Sequence, residues 1–203
     1  MIRNAVFDMG NVLIRFDPQW FIEREGVRDP ADRLLILREL FQSTEWAMMD
    51  LGFLTEETAE PLILSRFPER LKKTVSHLLY HWPDERTEIP GMRELVRELR
   101  QNGYRLYLLS NASVAHHQYW PKYPVSEFFD GVLVSADLRK IKPMNEIYAE
   151  CLKRFSLLAE ECVFIDDLPA NVAGAVANGW QGIVFHGDPQ ELEEKLLALG
   201  LRF

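Results

Sequence analysis

The stretch that decides the fold is Arg3-Asn4-Ala5-Val6-Phe7-Asp8-Met9-Gly10-Asn11-Val12, an apolar run that stops abruptly on a carboxylate followed by Gly and Asn. This pattern predicts a buried strand that delivers Asp8 to the edge of a sheet. Asp also begins turns after strands, so the stretch taken alone supports a turn as readily as a reactive group. Three later polar strand ends favour chemistry.

The first of them closes the strand Tyr104-Arg105-Leu106-Tyr107-Leu108-Leu109, which ends on Ser110-Asn111. A short strand, Gly131-Val132-Leu133-Val134, leads through Asp137-Leu138-Arg139-Lys140-Ile141-Lys142-Pro143 into a helix containing Tyr148 and Leu152. Cys162-Val163-Phe164-Ile165 then ends on Asp166-Asp167-Leu168-Pro169-Ala170-Asn171, followed by a helix through Val176, a strand Gly182–Phe185 and a last helix Pro189–Leu199. Strands alternating with helices predict an α/β fold: a Rossmann-like parallel sheet core flanked by helices. In such a sheet the strand C-termini share one side, so Asp8, Ser110, Lys142 and Asp166-Asp167 meet in one crevice. Crowded carboxylates require a cation or a proton between them, and Mg2+ suits an oxygen-only donor set.

Between the first strand and residue 84 the pattern is helical, an all-α insertion that the family resemblance given below implies is a cap, 17–83, on a core made of 1–16 and 84–203. Asp17-Pro18 gives a capping Asp with Pro at the first helical position. In Pro30–Phe41, Leu34, Leu37, Leu40 and Phe41 are expected on one buried face. Thr55-Glu56-Glu57 opens a helix ending near Phe67, before Pro68. Met92, Leu95, Val96 and Leu99 follow Pro90-Gly91 at helical spacing, with Gly103 as cap. Trp20, Trp46 and Trp82 are expected to pack, although a helical insertion over a site could present one of them to a substrate. No residue of the insertion carries a specific catalytic signal.

Composition narrows the function classes. The 203 residues are 47% hydrophobic and 27% charged, with a net charge of −8. That balance disfavours nucleic acid as a partner, because phosphate backbones are held by clustered positive charge. No stretch has a signal-peptide pattern or membrane-spanning length, so a cytoplasmic protein with no membrane partner is expected. The two cysteines, Cys151 and Cys162, lack metal-ligand spacing and read as small core residues. The five histidines form no ligand motif; His116-His117 stand out only for following the Ser110 stretch.

The ordered set Phe7-Asp8-Met9-Gly10-Asn11-Val12, Leu108-Leu109-Ser110-Asn111, Lys142-Pro143 and Ile165-Asp166-Asp167-Leu168-Pro169-Ala170-Asn171 resembles the four motifs of the haloacid dehalogenase (HAD) superfamily, helical-cap type. The stretches Ser110-Asn111 to Tyr119-Trp120-Pro121 and Ser135-Ala136-Asp137-Leu138 resemble the bacterial branch that includes glucose-1-phosphate phosphatases. The resemblance implies that Asp8 attacks phosphorus and forms an aspartyl-phosphate, with Asp8, the Gly10 carbonyl, Asp167 and Asp166 as metal ligands. It also implies that Ser110, Lys142, Asn111 and the backbone after Asp8, at Met9 and Gly10, bind the phosphoryl oxygens, and that Asn171 orients the metal ligands. The expected substrate is a small phosphorylated metabolite, and the expected assembly is a monomer or homodimer.

One position departs from that family. Most phosphatases of this type carry a second Asp two residues after the nucleophile; Gly10 stands there and cannot transfer a proton. An anomeric oxygen, as in a sugar 1-phosphate, tolerates that loss better than an ordinary alcohol. Two other readings remain open at this level: a metal-independent 2-haloacid dehalogenase, and a binding domain that kept the scaffold and lost catalysis. A phosphomutase is less favoured, since its second half-reaction relies on the missing group.

Overall fold

A computed structural model describes residues 1–85 and 87–203. Its centre is a five-stranded, all-parallel sheet in the order β3-β2-β1-β4-β5. The strands are β1 (Asn4–Phe7), β2 (Arg105–Ser110), β3 (Gly131–Val134), β4 (Cys162–Asp166) and β5 (Gln181–Val184). The fold class read from the sequence is therefore present.

Every residue of the central strand β1 and of its neighbour β4 is buried. Their side chains alternate between two cores, as a two-residue period requires. Ala5, Phe7, Leu106, Leu108, Val163 and Ile165 face one core, while Val6, Tyr107, Leu109, Cys162 and Phe164 face the other. The first core is completed by Met92, Leu95, Val96 and Leu99 of the helix Met92–Gln101 and by Leu192 and Leu196 of the helix Pro189–Ala198. The second is completed by Ile147, Tyr148 and Cys151 of the helix Asn145–Phe155 and Ala175 of the helix Pro169–Ala177. Both cysteines are free and buried there, as expected of small core residues. Gly103, at φ +86°, closes its helix in the left-handed conformation that only glycine adopts without strain.

Between β1 and β2 the chain is helical: α1 (Pro18–Arg24), α2 (Pro30–Ile36), α3 (Thr44–Asp50), α4 (Glu56–Leu64) and α5 (Glu69–His81). Asp17 caps α1 by accepting from the Trp20 N–H at 3.1 Å. Thr55 and Thr58 form a reciprocal capping box at α4, and Pro68 lies at the start of α5.

The buried face expected over Pro30–Phe41 needs correction. Leu34 is exposed, and the buried residues are Ile36, Leu40 and Phe41. The cause is a π-helical turn, Leu37–Phe41, continuing α2, in which the Gln42 N–H bonds the Leu37 carbonyl at 3.0 Å. An i→i+5 period brings Phe41 under Ile36 and turns Leu34 to solvent.

Phe16 forms the hub of an aromatic cluster joining the insertion to the sheet, with ring centroids 5.1 Å from Trp82, 5.8 Å from Phe21, 6.0 Å from Trp46 and 6.3 Å from Phe41. Trp82 in turn meets Tyr119 edge-on at 5.3 Å. No helix among the described residues is long and apolar enough to cross a membrane.

Candidate active site

Strand order reverses between β1 and β4, and the crevice beyond their C-termini is where an open α/β sheet binds ligands. The ladder between these strands runs one residue past β1, the Asp8 N–H bonding the Ile165 carbonyl at 2.8 Å. Asp8 is thereby fixed beside Asp166, the last residue of β4.

Lys142 lies between them. Its ammonium donates to Asp8 Oδ1 at 2.5 Å and to Asp166 Oδ2 at 2.7 Å, and all three side chains are buried. Lys142 is itself held by a two-way contact: its N–H donates to Asn111 Oδ1 at 2.8 Å, and Asn111 Nδ2 donates to its carbonyl at 3.0 Å. Asp166 accepts further from Asn171 Nδ2 at 3.0 and 3.1 Å and from the Leu168 N–H at 2.8 Å. Its oxygens are thus committed to holding Lys142 and the turn into the next helix.

Burial pushes the Asp8 carboxyl up to about 7, opposed by the Lys142 charge and reinforced by Asp166. Burial also raises Asp167, with Asp166 adding repulsion. For Lys142, burial alone would lower the ammonium, but the charges of Asp8 and Asp166 outweigh it and the net direction is upward.

Asp8, Asp166 and Asp167 each offer an oxygen within 4.8 Å of the others. Such a hard, all-oxygen set fits Mg2+, which favours carboxylates completed by water or phosphate oxygens. Beside it, the turn after Asp8 is closed by Ile14 N–H to Met9 carbonyl at 3.0 Å and Asn11 N–H to Ile14 carbonyl at 2.7 Å; neither bond uses the Gly10 carbonyl. Met9, Gly10, Ser110, Asn111, Lys142, Asp167 and Asn171 all line one cavity of about 260 Å³ with Asp8 at its floor. Asp166 lies beneath that surface, fully buried.

The same cavity contains groups that the motifs do not mark. Phe16, Trp46, Met49, Leu79, Trp82 and Tyr119 form its apolar wall, and Asp50, Glu56 and Ser113 its polar rim. Trp46 and Trp82, expected primarily to pack, thus also face the cavity, whereas Trp20 does not line it. Ser113 Oγ donates to Glu56 Oε1 at 2.5 Å, joining the loop after β2 to the start of α4. Asn11 belongs to the first motif, yet its type and position give it no evident role; its side chain accepts from the Phe16 N–H at 3.1 Å and donates to Asp167 Oδ2 at 3.4 Å. Asp50 carries one signal in the sequence: it is a carboxylate on the last residue of α3, where the helix dipole disfavours negative charge.

His116 and His117 are not part of the site. His116 is buried and stacked on Trp120 at 5.8 Å, while His117 meets Asp137 at 3.0 Å.

Comparison with known proteins places this geometry. The profile of haloacid dehalogenase-like hydrolases matches residues 2–179. Sesquiterpene phosphatase astK of Aspergillus oryzae is 28% identical over 187 residues, covering 88% of this chain and 87% of the relative. Glyceraldehyde 3-phosphate phosphatase of Pyrococcus abyssi is 29% identical over 102 residues, covering 48% of this chain and 42% of the relative. Among solved structures, a HAD family enzyme of Bacteroides thetaiotaomicron, an Asp-to-Ala mutant in complex with magnesium and inorganic phosphate, superposes with a TM-score of 0.71 at 20% identity, covering 95% of this chain and 99% of its own. With a parallel sheet of the right order, a buried Asp-Lys-Asp contact at its switch point and a family match over most of its length, the chain belongs to the haloacid dehalogenase-like hydrolases.

Proposed function

We propose that the protein is a Mg2+-dependent phosphatase that hydrolyses a small phosphorylated metabolite through an aspartyl-phosphate on Asp8. The observation that carries this reading is the placement of Asp8 in the cavity lining, bound to Lys142 and within 4.8 Å of oxygens of Asp166 and Asp167. Asp8, Asp167 and the Gly10 carbonyl would hold Mg2+, with Asp166 acting through water or through its grip on Lys142. When bound, the cation neutralises charge on the carboxylates and on phosphate oxygens. Asp8 supplies the oxygen that attacks phosphorus, and Ser110, Lys142 and the backbone at Met9 and Gly10 meet the phosphoryl oxygens. Asn171 and Asn111 act indirectly, by fixing Asp166 and Lys142.

In this reading residues 17–83 are a cap over a core of 1–16 and 84–203, and the cap chooses the substrate. Aromatic faces beside carboxylates and a hydroxyl suit a sugar phosphate such as glucose 1-phosphate. The named relatives act on sesquiterpene and glyceraldehyde 3-phosphate substrates, so a screen should span apolar and sugar phosphomonoesters. The buried free thiols Cys151 and Cys162 suit a reducing compartment, in keeping with a cytoplasmic enzyme. Two carboxylates flanking Asp8 would repel a halocarboxylate, which disfavours the dehalogenase reading.

The test is hydrolysis of an aryl phosphate with Mg2+, with EDTA, and by Asp8→Asn. Turnover that needs both the cation and Asp8 supports the proposal. Turnover of 2-haloacids without metal, or phosphate binding with no turnover, would replace it.

A further inference from the structure

Gly10 leaves the site without the usual group for moving a proton, yet the cavity contains a carboxyl that no contact occupies. Asp50 lines it from the end of α3, and among the described residues its carboxyl takes no hydrogen bond and no ion pair. Glu56, by contrast, is engaged by Ser113, and Asp167 by Asn11. Resting on the phosphatase reading above, we infer that Asp50 is the general acid and base of the reaction, supplied from the helical insertion in place of a group at position 10.

The position is built. Ser135, buried at the end of β3, donates from Oγ to the Asp50 carbonyl at 2.6 Å and accepts from the Ala112 N–H at 3.0 Å, so one hydroxyl ties α3 to the loop that follows Ser110. Two residues on, Gly52 adopts φ +69°, and a Cβ there would collide with the Ala136 carbonyl oxygen. The backbone around Asp50 therefore touches the core at two points and cannot be shifted without breaking one of them. The carboxyl is partly buried, and loss of hydration pushes it up to about 7, with Glu56 and Asp8 adding repulsion. The charged or titratable groups facing it are Glu56 on α4, Asp8 after β1 and Tyr119 across the cavity. A carboxyl of that acidity exchanges protons near neutrality.

In the first step an Asp8 carboxylate oxygen bonds to phosphorus, the bond from phosphorus to the leaving oxygen breaks with its electron pair, and that oxygen takes the Asp50 proton. Water then attacks the aspartyl-phosphate, gives its proton to the Asp50 carboxylate, and the phosphorus bond to Asp8 breaks, returning the pair to Asp8. Inorganic phosphate leaves, and Asp50 is again protonated.

The test is the dependence of kcat/KM on leaving-group acidity across a series of substituted phenyl phosphates, for the wild type and Asp50→Asn, with acid-quench trapping of the phosphoenzyme. Asn preserves the side-chain shape and removes repulsion from Glu56 and Asp8, so folding is retained. The expected result is a steeper dependence in Asp50→Asn, with losses on the order of 100-fold or more for the least acidic phenols, and accumulation of phosphoenzyme because water attack lacks its base. A uniform loss across the series, an unchanged dependence, or no accumulation overturns the role of Asp50. Failure of the phosphatase reading looks different: the wild type itself then hydrolyses no member of the series.

Discussion

Lys142 Nζ stands 2.5 Å from Asp8 Oδ1 while also donating to Asp166 at 2.7 Å, so a single ammonium holds Asp8 and the end of the neighbouring strand. Lys142→Met would leave two buried carboxylates facing each other without compensation. Breaking a buried pair in this way costs about 3–5 kcal/mol. Denaturant unfolding should show that loss, and the double variant Lys142→Met with Asp166→Asn should recover part of it. Turnover should stay lost in both.

Gly10 has room for a Cβ. A Cβ there would sit 3.6 Å from Phe16 Cβ and 3.9 Å from Asp8 Oδ2, ordinary contact distances. Gly10→Asp, placed in the Asp50→Asn background, should raise kcat/KM for esters of weakly acidic alcohols on the order of 10-fold or more, with little gain on aryl phosphates.

Cation binding should be linked to pH. Asp8, at about 7, and Asp167, raised by burial, must lose protons to become ligands. Mg2+ should raise Tm at pH 8 by mass action and do so progressively less as pH falls below about 7. Asp167→Asn should abolish the Mg2+-dependent shift, which differential scanning fluorimetry reads directly.

His116 should control acid stability. Burial lowers its imidazole to about 3, and neither ring nitrogen has a hydrogen-bond partner among the described residues. The unfolded chain takes up that proton near 6.5 while the folded chain refuses it. Stability from this group is therefore present above 6.5 and lost as pH falls towards 3, about 2 kcal/mol between pH 8 and 5. Asp8 works in the opposite sense over about pH 4–7, so the informative quantity is the difference from His116→Phe. That variant should lack the His116 contribution in chemical denaturation at the two pH values.

Gly52→Ala tests how the insertion is seated. A Cβ cannot coexist with the Ala136 carbonyl beside it, and φ +69° adds strain. We expect a loss of about 1–3 kcal/mol and a fall in kcat on the order of tenfold, as the α3 terminus shifts relative to Asp8. Thermal melts and steady-state kinetics on the one variant separate the two effects.

The fold and the floor of the site were legible in the sequence because strand ends announce themselves. One apolar run that stops on a carboxylate is compatible with a simple turn, but runs that stop in order on Asp8, Ser110 and Asp166 are not, and parallel topology brings those ends together. The polar rim of the cavity was not legible. Asp50 and Glu56 lie in helices whose periodicity says which side is apolar but not what faces that side across space. Leu34 shows the same limit, since a π-helical turn rotated the face that regular spacing predicts. Asn11 was visible as part of a motif, but its bridge to Asp167 depends on a left-handed backbone at φ 53° that no residue count reveals.

The hydrogen bond from Asp8 to Ile165 joins residues separated by most of the chain. Asp8 acquires its neighbours only once β1 has paired with β4, a strand that the chain contributes far along its length. Catalytic competence should thus emerge late in refolding and vanish together with the sheet on denaturation, making turnover a reporter of global folding.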